Sequence, residues 1–295
     1  PGDGIFSSRE ALMGIFRHPL RPRARVSRLV VGLLLASGVV TAVAQRPPWG
    51  RGNWQPAVMH EGLPPDYGGF LFCRLIYNQV RREPGGQGWS TDYPVSDRNF
   101  LTRLSQFTNT RIGRWSEDEP GFVAVRATDP NLFRCLFLFA SDVGTMALDD
   151  QEIRQLREYL LKGGFLWVDD FWGDRAWGHW ETTLREVLPD VSLEEITPDH
   201  PLMSIFYQID DVPQIPSIQF WRGSGGLTSE RGEESAIPTL HVVTDESGRI
   251  LVLMSHNTDI ADGWEREGED RRFLDAFSPN AYAVGINVAL WMMTH

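Results

Sequence analysis

The chain has 295 residues, of which 42% are apolar and 23% charged, and its formal net charge at pH 7 is −11. This composition is typical of a soluble globular protein. It excludes a disordered chain, a collagen-like chain and a protein with many membrane spans. So acidic a chain is also a poor nucleic-acid binder, because neutralising phosphates requires clustered lysines and arginines.

Residues 1–28 form a basic segment with six arginines and two acidic residues, a net charge of +4. Ser7 and Glu10 have the spacing of a capping box, and apolar residues follow them. One interpretation is a cytoplasmic segment with a short amphipathic helix on the membrane surface. The alternative is a frayed basic tail.

Residues 29–45 contain an uncharged apolar run from Leu29 to Ala44. As a helix this run would cover roughly 24 Å, close to the ~30 Å hydrocarbon core of a bilayer. One interpretation is a signal peptide cleaved after Ala44, and the other is an uncleaved anchor with the arginines in the cytoplasm. We favour the anchor, because the chain retains this segment and begins with Pro1, as expected after removal of an initiator methionine. The residues expected to anchor the chain are Leu29, Val30, Val31, Leu33, Leu34, Leu35, Val39 and Val40.

Residues 46–69 are rich in Pro, Gly and Trp and are predicted to form an extended linker. Strands are predicted at 70–77, 122–125, 133–140 and 165–168. Helices are predicted at 96–107, from an Asp149 cap to Gly163, and at 179–188. Alternation of strands and helices with short connections predicts a parallel α/β sheet with helices on both faces over residues 70–295.

The C-terminal part is predicted to contain a hairpin, with strands at 239–244 and 250–255 around a turn at 245–249. A closing helix is predicted at 279–293, because its Ala, Gly and Val residues suit close packing.

Four sequence stretches resemble a known family. They are GGFLWVDDFWG at 163–173, DHPLMSIFY at 199–207, SHNTDIADGWE at 255–265 and AYAVGINVALW at 281–291. Together they resemble the bacterial family catalogued as domain of unknown function 4159, from about Phe70 to the end of the chain. The resemblance implies a flavodoxin- or amidotransferase-like three-layer α/β domain, similar to class I glutamine amidotransferases. The N-terminal segment and the linker lie outside the resemblance, so the expectation of one N-terminal transmembrane helix before this domain depends on the apolar run at 29–44.

Amidotransferases of that fold carry a cysteine nucleophile on a tight turn after a central strand. The comparable turn here, from Ala140 to Gly144, has no cysteine. Ser141 could replace it only if a histidine reached it, and no G-x-S-x-G motif surrounds it. Amidotransferase chemistry is therefore not expected from the fold alone.

Carboxylates follow two of the predicted buried strands. Asp142 follows one strand, and Asp169 and Asp170 end the next. Because ligands bind beyond the carboxyl ends of parallel strands, the three could hold a hard cation or act as acid and base. The alternative is that they cap helices or turns, or pair with Arg175.

A polar loop follows the last predicted strand. His256 and Asn257, together with the strand-end aspartates, would make a polar pocket. The alternative is a loop held by Asx turns and a packed Trp264. His200 is expected to be a turn residue before a helix rather than a ligand.

No cofactor and no metal centre are expected. The seven histidines form no closely spaced pair and there is no C-x-x-C motif, so a zinc site is not predicted. Cys73 and Cys135 both lie in predicted apolar strands. Outside the cytoplasm they could form a disulfide, but mid-strand cysteines point into the core, so we expect two buried thiols.

A glycine-rich loop at 85–89 lacks the P-loop lysine and is interpreted as a ligand lid or a partner contact. Eleven tryptophans are an unusually high number for this length. Exposed, they would form a sugar-stacking shelf or an interaction patch, and buried, they would be core. The candidates for partner contacts are Trp49, Trp54, Trp89, Trp172, Trp177 and Trp180.

Two functions remain open. The first, which we favour, is a non-catalytic accessory subunit of a bacterial inner-membrane complex, respiratory or photosynthetic, with a cytoplasmic N-terminus and a periplasmic domain. Its partners would be that complex and the lipid bilayer. The second is a secreted envelope hydrolase or carbohydrate-binding protein that uses Asp142, Asp169, Asp170 and His256. The first predicts a filled cleft and an apolar patch elsewhere, and the second predicts an open acidic cleft.

Overall fold

The structure, a computed structural model, describes residues 62–295. The predicted basic segment, the apolar segment and the linker up to residue 61, with Trp49 and Trp54, lie outside the described residues. Among residues 62–295, no helix has both the length and the apolar character needed to cross a membrane.

Nine strands form two sheets. They are β1 (Phe72–Ile76), β2 (Asn78–Gln79), β3 (Phe122–Arg126), β4 (Phe137–Ser141), β5 (Met146–Ala147), β6 (Phe165–Phe171), β7 (Glu194–Glu195), β8 (Thr239–Thr244) and β9 (Ile250–His256). The main sheet has the order β3-β1-β4-β6-β9-β8-β7, and β2 pairs with β5 in a small second sheet. The first five strands of the main sheet run parallel, and β8 is antiparallel to β9 and β7.

Within residues 62–295, six α-helices connect and cover the strands. They are α1 (Val95–Phe107), α2 (Asp150–Leu161), α3 (Gly173–Val187), α4 (Ile218–Gly223), α5 (Ile260–Glu265) and α6 (Arg271–Thr294). Short 3₁₀ turns lie at Gly88–Ser90, Pro130–Arg134, Val143–Thr145, Pro201–Ser204 and Gly232–Ser235.

Side chains of successive strand residues point to opposite faces of the main sheet. Both faces are buried, because helices pack on each of them. Phe139 and Trp167 pack on one face with residues of α1, α5 and α6. Leu138 and Val168 pack on the other face with residues of α2 and α3. The predicted three-layer α/β arrangement with a mostly parallel sheet is confirmed.

Close packing between α5 and α6 requires small residues, as the composition of the closing helix suggested. A Cβ atom at Gly285 would lie 2.6 Å from the Trp264 indole and 2.7 Å from the Phe100 ring. The glycine therefore lets the buried Trp264 reach the sheet, where its ring centroid is 5.6 Å from that of Trp167.

Helix α2 begins as predicted. The Asp149 carboxylate accepts hydrogen bonds from the backbone of Gln151 and Glu152, and Glu152 in turn accepts from the Asp149 backbone N–H at 3.0 Å. This reciprocal pairing satisfies donors that the first helical turn leaves free. Two other predicted starts are too late, since α3 begins at Gly173 rather than 179 and α6 at Arg271 rather than 279.

The predicted pair of buried thiols is wrong, because Cys73 and Cys135 form a disulfide. The predicted strand at 133–140 begins only at Phe137, and a 3₁₀ turn occupies Pro130–Arg134. Cys135 therefore lies in the connection before β4 rather than mid-strand. Its side chain is not held to the alternation of a strand, and it reaches Cys73 of the neighbouring β1.

The strands are added on opposite sides of the junction between β1 and β4. From β1 the chain crosses to β3 at one edge, and from β4 it continues through β6 to β9 on the other side. In open α/β sheets a crevice opens at such a switch point, outside the carboxyl ends of the strands. The segments after β1, β4, β6 and β9 meet there.

Candidate functional site

An open cleft lies at the carboxyl ends of the parallel strands. Seven carboxyl groups line it, together with only two arginines, Arg231 and Arg266. The carboxyl groups belong to Glu83, Asp92, Asp142, Asp170, Glu230, Asp259 and Asp262. We call this the carboxylate cleft. It is the open acidic cleft expected of the second interpretation of the sequence.

Three of the cleft aspartates have a left-handed backbone conformation. The φ angles are 63° at Asp92, 53° at Asp142 and 54° at Asp170, and Asn257 nearby has 60°. Among the described residues these four are the non-glycine positions with positive φ. Left-handed residues cost free energy and cluster where a site requires a side chain in a particular direction.

Asp142 follows β4 and is almost fully buried at the floor of the cleft. Its Oδ2 accepts a hydrogen bond of 2.8 Å from the backbone N–H of Gly88 in the glycine-rich loop. A Cβ atom at Gly86 would collide with the Asp142 carboxyl. The loop is therefore glycine-rich because it lies directly against this carboxyl group, as one wall of the cleft.

Burial dominates the acid–base properties of Asp142. It raises the pKa of Asp142 to about 7, and the neighbouring Glu83 raises it further, against the opposing hydrogen bond from Gly88. A carboxyl group with a pKa near 7 exchanges its proton readily at neutral pH, as a general acid or base must.

Asp170 is the penultimate residue of β6 and faces the same cleft, with its Oδ1 accepting a hydrogen bond of 2.9 Å from the Trp172 indole. Burial raises the pKa of Asp170 well above its ordinary value, and repulsion from Asp92 and Asp142 adds to this. The cleft thus brings together two carboxyl groups, Asp142 and Asp170, that discourage each other's ionisation.

Asp92 enters the cleft from the segment between β2 and α1. Beneath it, the buried guanidinium of Arg74 in β1 donates to the Thr91 carbonyl at 2.9 Å and, through Nε, to both Asp97 carboxylate oxygens at 3.1 Å. Arg74 thereby fastens the chain on both sides of Asp92. Burial and the nearby Glu265 and Asp262 carboxyls raise the pKa of Asp92 well above its usual range.

Asp259 and Asp262 come from the start of α5. Asp259 Oδ1 accepts from the Asp262 backbone N–H at 2.8 Å and caps the helix, while Asp262 Oδ2 accepts from the Ile218 N–H at 2.9 Å. Burial raises the pKa of Asp262 to about 7, against the attraction of Arg266, and raises that of Asp259 well above normal. The loop is held by caps and a buried Trp264, and it also supplies two cleft carboxyls.

The structure leaves Asp169 and His256 outside the cleft lining. Asp169 is fully buried, and its Oδ2 accepts a hydrogen bond of 3.0 Å from the Ala261 N–H at the start of α5. The His256 ring lies against Phe171 and Trp177, with centroid distances of 4.9 and 4.8 Å. Burial lowers the pKa of His256 to about 4, so its imidazole is neutral at pH 7.

The four candidate tryptophans within the described residues do not form an exposed shelf. Trp172 and Trp180 are buried, and Trp89 and Trp177 are half-buried against the core. Trp172 alone among these four reaches the cleft lining. The serine that might have replaced a nucleophilic cysteine, Ser141, is also fully buried.

Sequence reasoning missed Asp92, Glu83 and Glu230 as cleft residues. Glu83 and Asp92 lie in a long connection, and Glu230 lies in a segment without a predicted element, so nothing in their local pattern marks them. Only the spatial order of the strands brings them to Asp142 and Asp170. The order was not available from periodicity, which predicts elements and not their neighbours.

A family model described as Domain of unknown function (DUF4159) matches residues 72–293, so the chain belongs to that family. This confirms the family expected from the four sequence stretches. No curated protein matches the chain.

Proposed function

We propose that this DUF4159 protein is a carbohydrate-directed hydrolase of the bacterial cell envelope, with its reaction in the carboxylate cleft. The observation that carries the proposal is the convergence of seven carboxyl groups in one open cleft at the strand ends. Natural folds avoid such a concentration of buried acids unless the site uses them, because each one opposes folding when ionised.

The charge of the cleft supports a neutral, hydroxyl-rich substrate. Carboxylates accept hydrogen bonds from sugar hydroxyls, and the edges of Phe171 and Trp172 add aromatic surface to the lining. An anionic substrate would be repelled by the surplus of acids over the two arginines.

The roles of the two central acids follow from their environments. Asp170, whose pKa burial and the neighbouring carboxyls raise well above its ordinary value, is assigned as the general acid, and Asp142, with a pKa of about 7, as the partner that ionises and activates water or attacks the sugar. Since the two repel each other, the state with one proton between them is favoured, which is the state that this chemistry needs.

The turn after β4 also supports a working site. A strained residue after a central strand is the position from which a nucleophile is presented in several hydrolase folds. Here that position is Asp142, with φ of 53°. We infer a class I amidotransferase-like fold from this turn and from the switch point between β1 and β4, with a carboxyl where that fold carries a cysteine.

The envelope location is supported by one feature of the described residues. The disulfide between Cys73 and Cys135 is buried, and disulfides persist in oxidising compartments outside the cytoplasm. The basic and apolar sequence of residues 1–45 is typical of a segment that directs a domain across the inner membrane.

The test is a panel of 4-nitrophenyl glycosides, with 4-nitrophenyl phosphate as a phosphate ester and 4-nitrophenyl acetate as a carboxylic ester for comparison. Asp142→Asn and Asp170→Asn should each lower turnover of the accepted glycoside by about 10²-fold or more. Asp174→Asn, an exposed carboxylate of α3, serves as the control and should keep full activity. Turnover that survives both cleft substitutions would contradict the proposal.

The pH profile gives a second readout. Because Asp142 must be ionised to activate water or attack the sugar, kcat/KM should rise as pH rises towards about 7 and Asp142 loses its proton. Glu83, Arg81 and Arg231 face this carboxyl and set the midpoint. A profile that falls through this range would assign Asp142 to another role.

The accessory-subunit function remains a second candidate, and one observation favours it. An apolar groove at the amino ends of β1 and β4 is lined by Tyr67, Leu136 and Met293, which are exposed by 47%, 66% and 40%. Native extraction in mild detergent, followed by size-exclusion chromatography, would test it. A large complex that is lost in Leu136→Glu would support docking, and a free chain would oppose it.

A further inference from the structure

The inner end of the carboxylate cleft holds a compact group of three acids, Asp92, Asp262 and Glu265. One carboxylate oxygen from each lies within 4.8 Å of the others. Asp92 comes from the segment before α1, and the other two lie on α5. The group therefore joins two separate parts of the chain across the cleft.

Within this group, Asp92 has a carboxylate oxygen that no donor of the described residues satisfies. Its side chain is more than nine-tenths buried, with 7% of the residue exposed, and it lines the cleft. No donor in the described part of the chain hydrogen-bonds to its Oδ2. A buried carboxylate oxygen without a donor is costly, and native structures rarely keep one without an ion or water.

The cations already present do not satisfy Asp92. Arg266 Nε lies 3.3 Å from Asp262 Oδ1 and 2.7 Å from Glu265 Oε2, and its Nη1 donates to Glu269. Arg74 is engaged by Asp97, Ser96 and the Thr91 carbonyl. Both arginines are therefore committed to other acceptors.

The backbone around Asp92 is built to aim its carboxyl at the group. The residue has φ of 63°, and the Arg74 bond to the preceding carbonyl holds it there. A strained residue maintained by a buried ion pair indicates that the direction of the side chain matters.

We propose that Asp92, Asp262 and Glu265 bind one hard divalent cation, Ca²⁺ or Mg²⁺, at the inner end of the carboxylate cleft. Oxygen-only ligands select these ions over zinc or copper, which prefer nitrogen and sulfur. The inference rests on the proposed function in that the cation would lie beside the reacting carboxyls. There it would offset their mutual repulsion and could hold sugar hydroxyls.

The test is isothermal titration calorimetry of the full chain, first stripped with EDTA and then titrated with CaCl₂, MgCl₂ or MnCl₂ at physiological ionic strength. We expect one saturable site per chain for at least one of the three. Asp92→Asn should weaken binding by about tenfold or more, and the half-buried Glu265→Gln provides a second variant if the first fails to fold. Asp174→Asn is the matched control and should bind as the wild type does.

The outcomes separate the cation from the hydrolase. Saturable binding that is weakened in both variants supports the site, whether or not a glycoside is turned over. No saturable heat with any of the three metals overturns it, as does an affinity unchanged by Asp92→Asn and Glu265→Gln. If glycoside turnover persists in EDTA and no cation binds, the proposed function stands and the cation does not.

Discussion

Replacing Asp142 by asparagine should stabilise the protein at high pH while it removes the carboxylate proposed to activate water or attack the sugar. Asparagine has nearly the same shape, tolerates the left-handed backbone, and its amide oxygen can accept the hydrogen bond from Gly88. The substitution therefore changes mainly the charge. Any stability difference reports what the buried carboxylate contributes to folding.

The size and sign of the effect follow from the pKa of Asp142. It is about 7 in the folded chain, against an ordinary value of 3.8. Between these two pH values the folded state holds the proton more tightly than the unfolded state, so stability falls as pH rises. At about 1.36 kcal/mol per pKa unit, the ionised carboxylate opposes folding by up to about 4 kcal/mol above pH 7, and by almost nothing below pH 4.

Urea unfolding followed by tryptophan fluorescence would measure this, in EDTA and at two pH values, about pH 4 and about pH 8. The buried Trp167 and Trp264 make the signal sensitive to loss of the core. Asp142→Asn should be more stable than the wild type only at the higher pH, and the exposed Asp174→Asn should show little difference at either. Equal or lower stability of Asp142→Asn at the higher pH would refute the reasoning, because the carboxylate would then be favourably paired.

Three further predictions concern the scaffold of the cleft. Mutating Cys73 and Cys135 to alanine should lower the unfolding free energy by about 4 kcal/mol, because the disulfide closes a loop between residues separated by 62 positions. Unchanged urea midpoints would argue against a disulfide. Asp97→Asn should lower the unfolding free energy by about 3 to 5 kcal/mol, because it leaves the buried Arg74 charge uncompensated. A loss below about 1 kcal/mol in the same assay would contradict this. Gly86→Val should displace the Asp142 carboxyl and lower glycoside turnover by about 100-fold. Normal turnover would show that the loop moves to accommodate the larger side chain.

Local patterns predicted most of the scaffold. The continuous apolar runs at β4 and β6 indicated buried parallel strands, and the Asp149 capping box marked the start of α2. These signals depend on neighbours in the chain. Positions where a tertiary contact decides the conformation were mispredicted. The start of α6 is one case, since Pro279 was taken as the first helical residue, yet the helix runs through it from an Asp270 cap.

The sequence predicted only part of the candidate site. Asp142 and Asp170 were identified because they follow buried strands, and the rule that ligands bind at strand ends needs no knowledge of strand order. Asp169 precedes Asp170 by one residue, and the alternation of β6 turns its side chain to the opposite face, against α5. The bulge that follows Val168 in the pairing with β9 could not be read from periodicity.

The position after β4 explains how a hydrolase-like turn can exist here without a nucleophilic cysteine or serine. A left-handed residue at this turn costs stability, and a fold that no longer used the turn would gain by relaxing it. Here the left-handed conformation is retained, and the residue that adopts it, Asp142, carries a buried carboxyl. Glycine at position 86 lets the neighbouring loop pack against that carboxyl. Two independent costs at one residue, backbone strain and a desolvated charge, support the proposed catalytic role of Asp142 over a purely structural one. Ser141, one residue earlier and fully buried, bears neither of these costs.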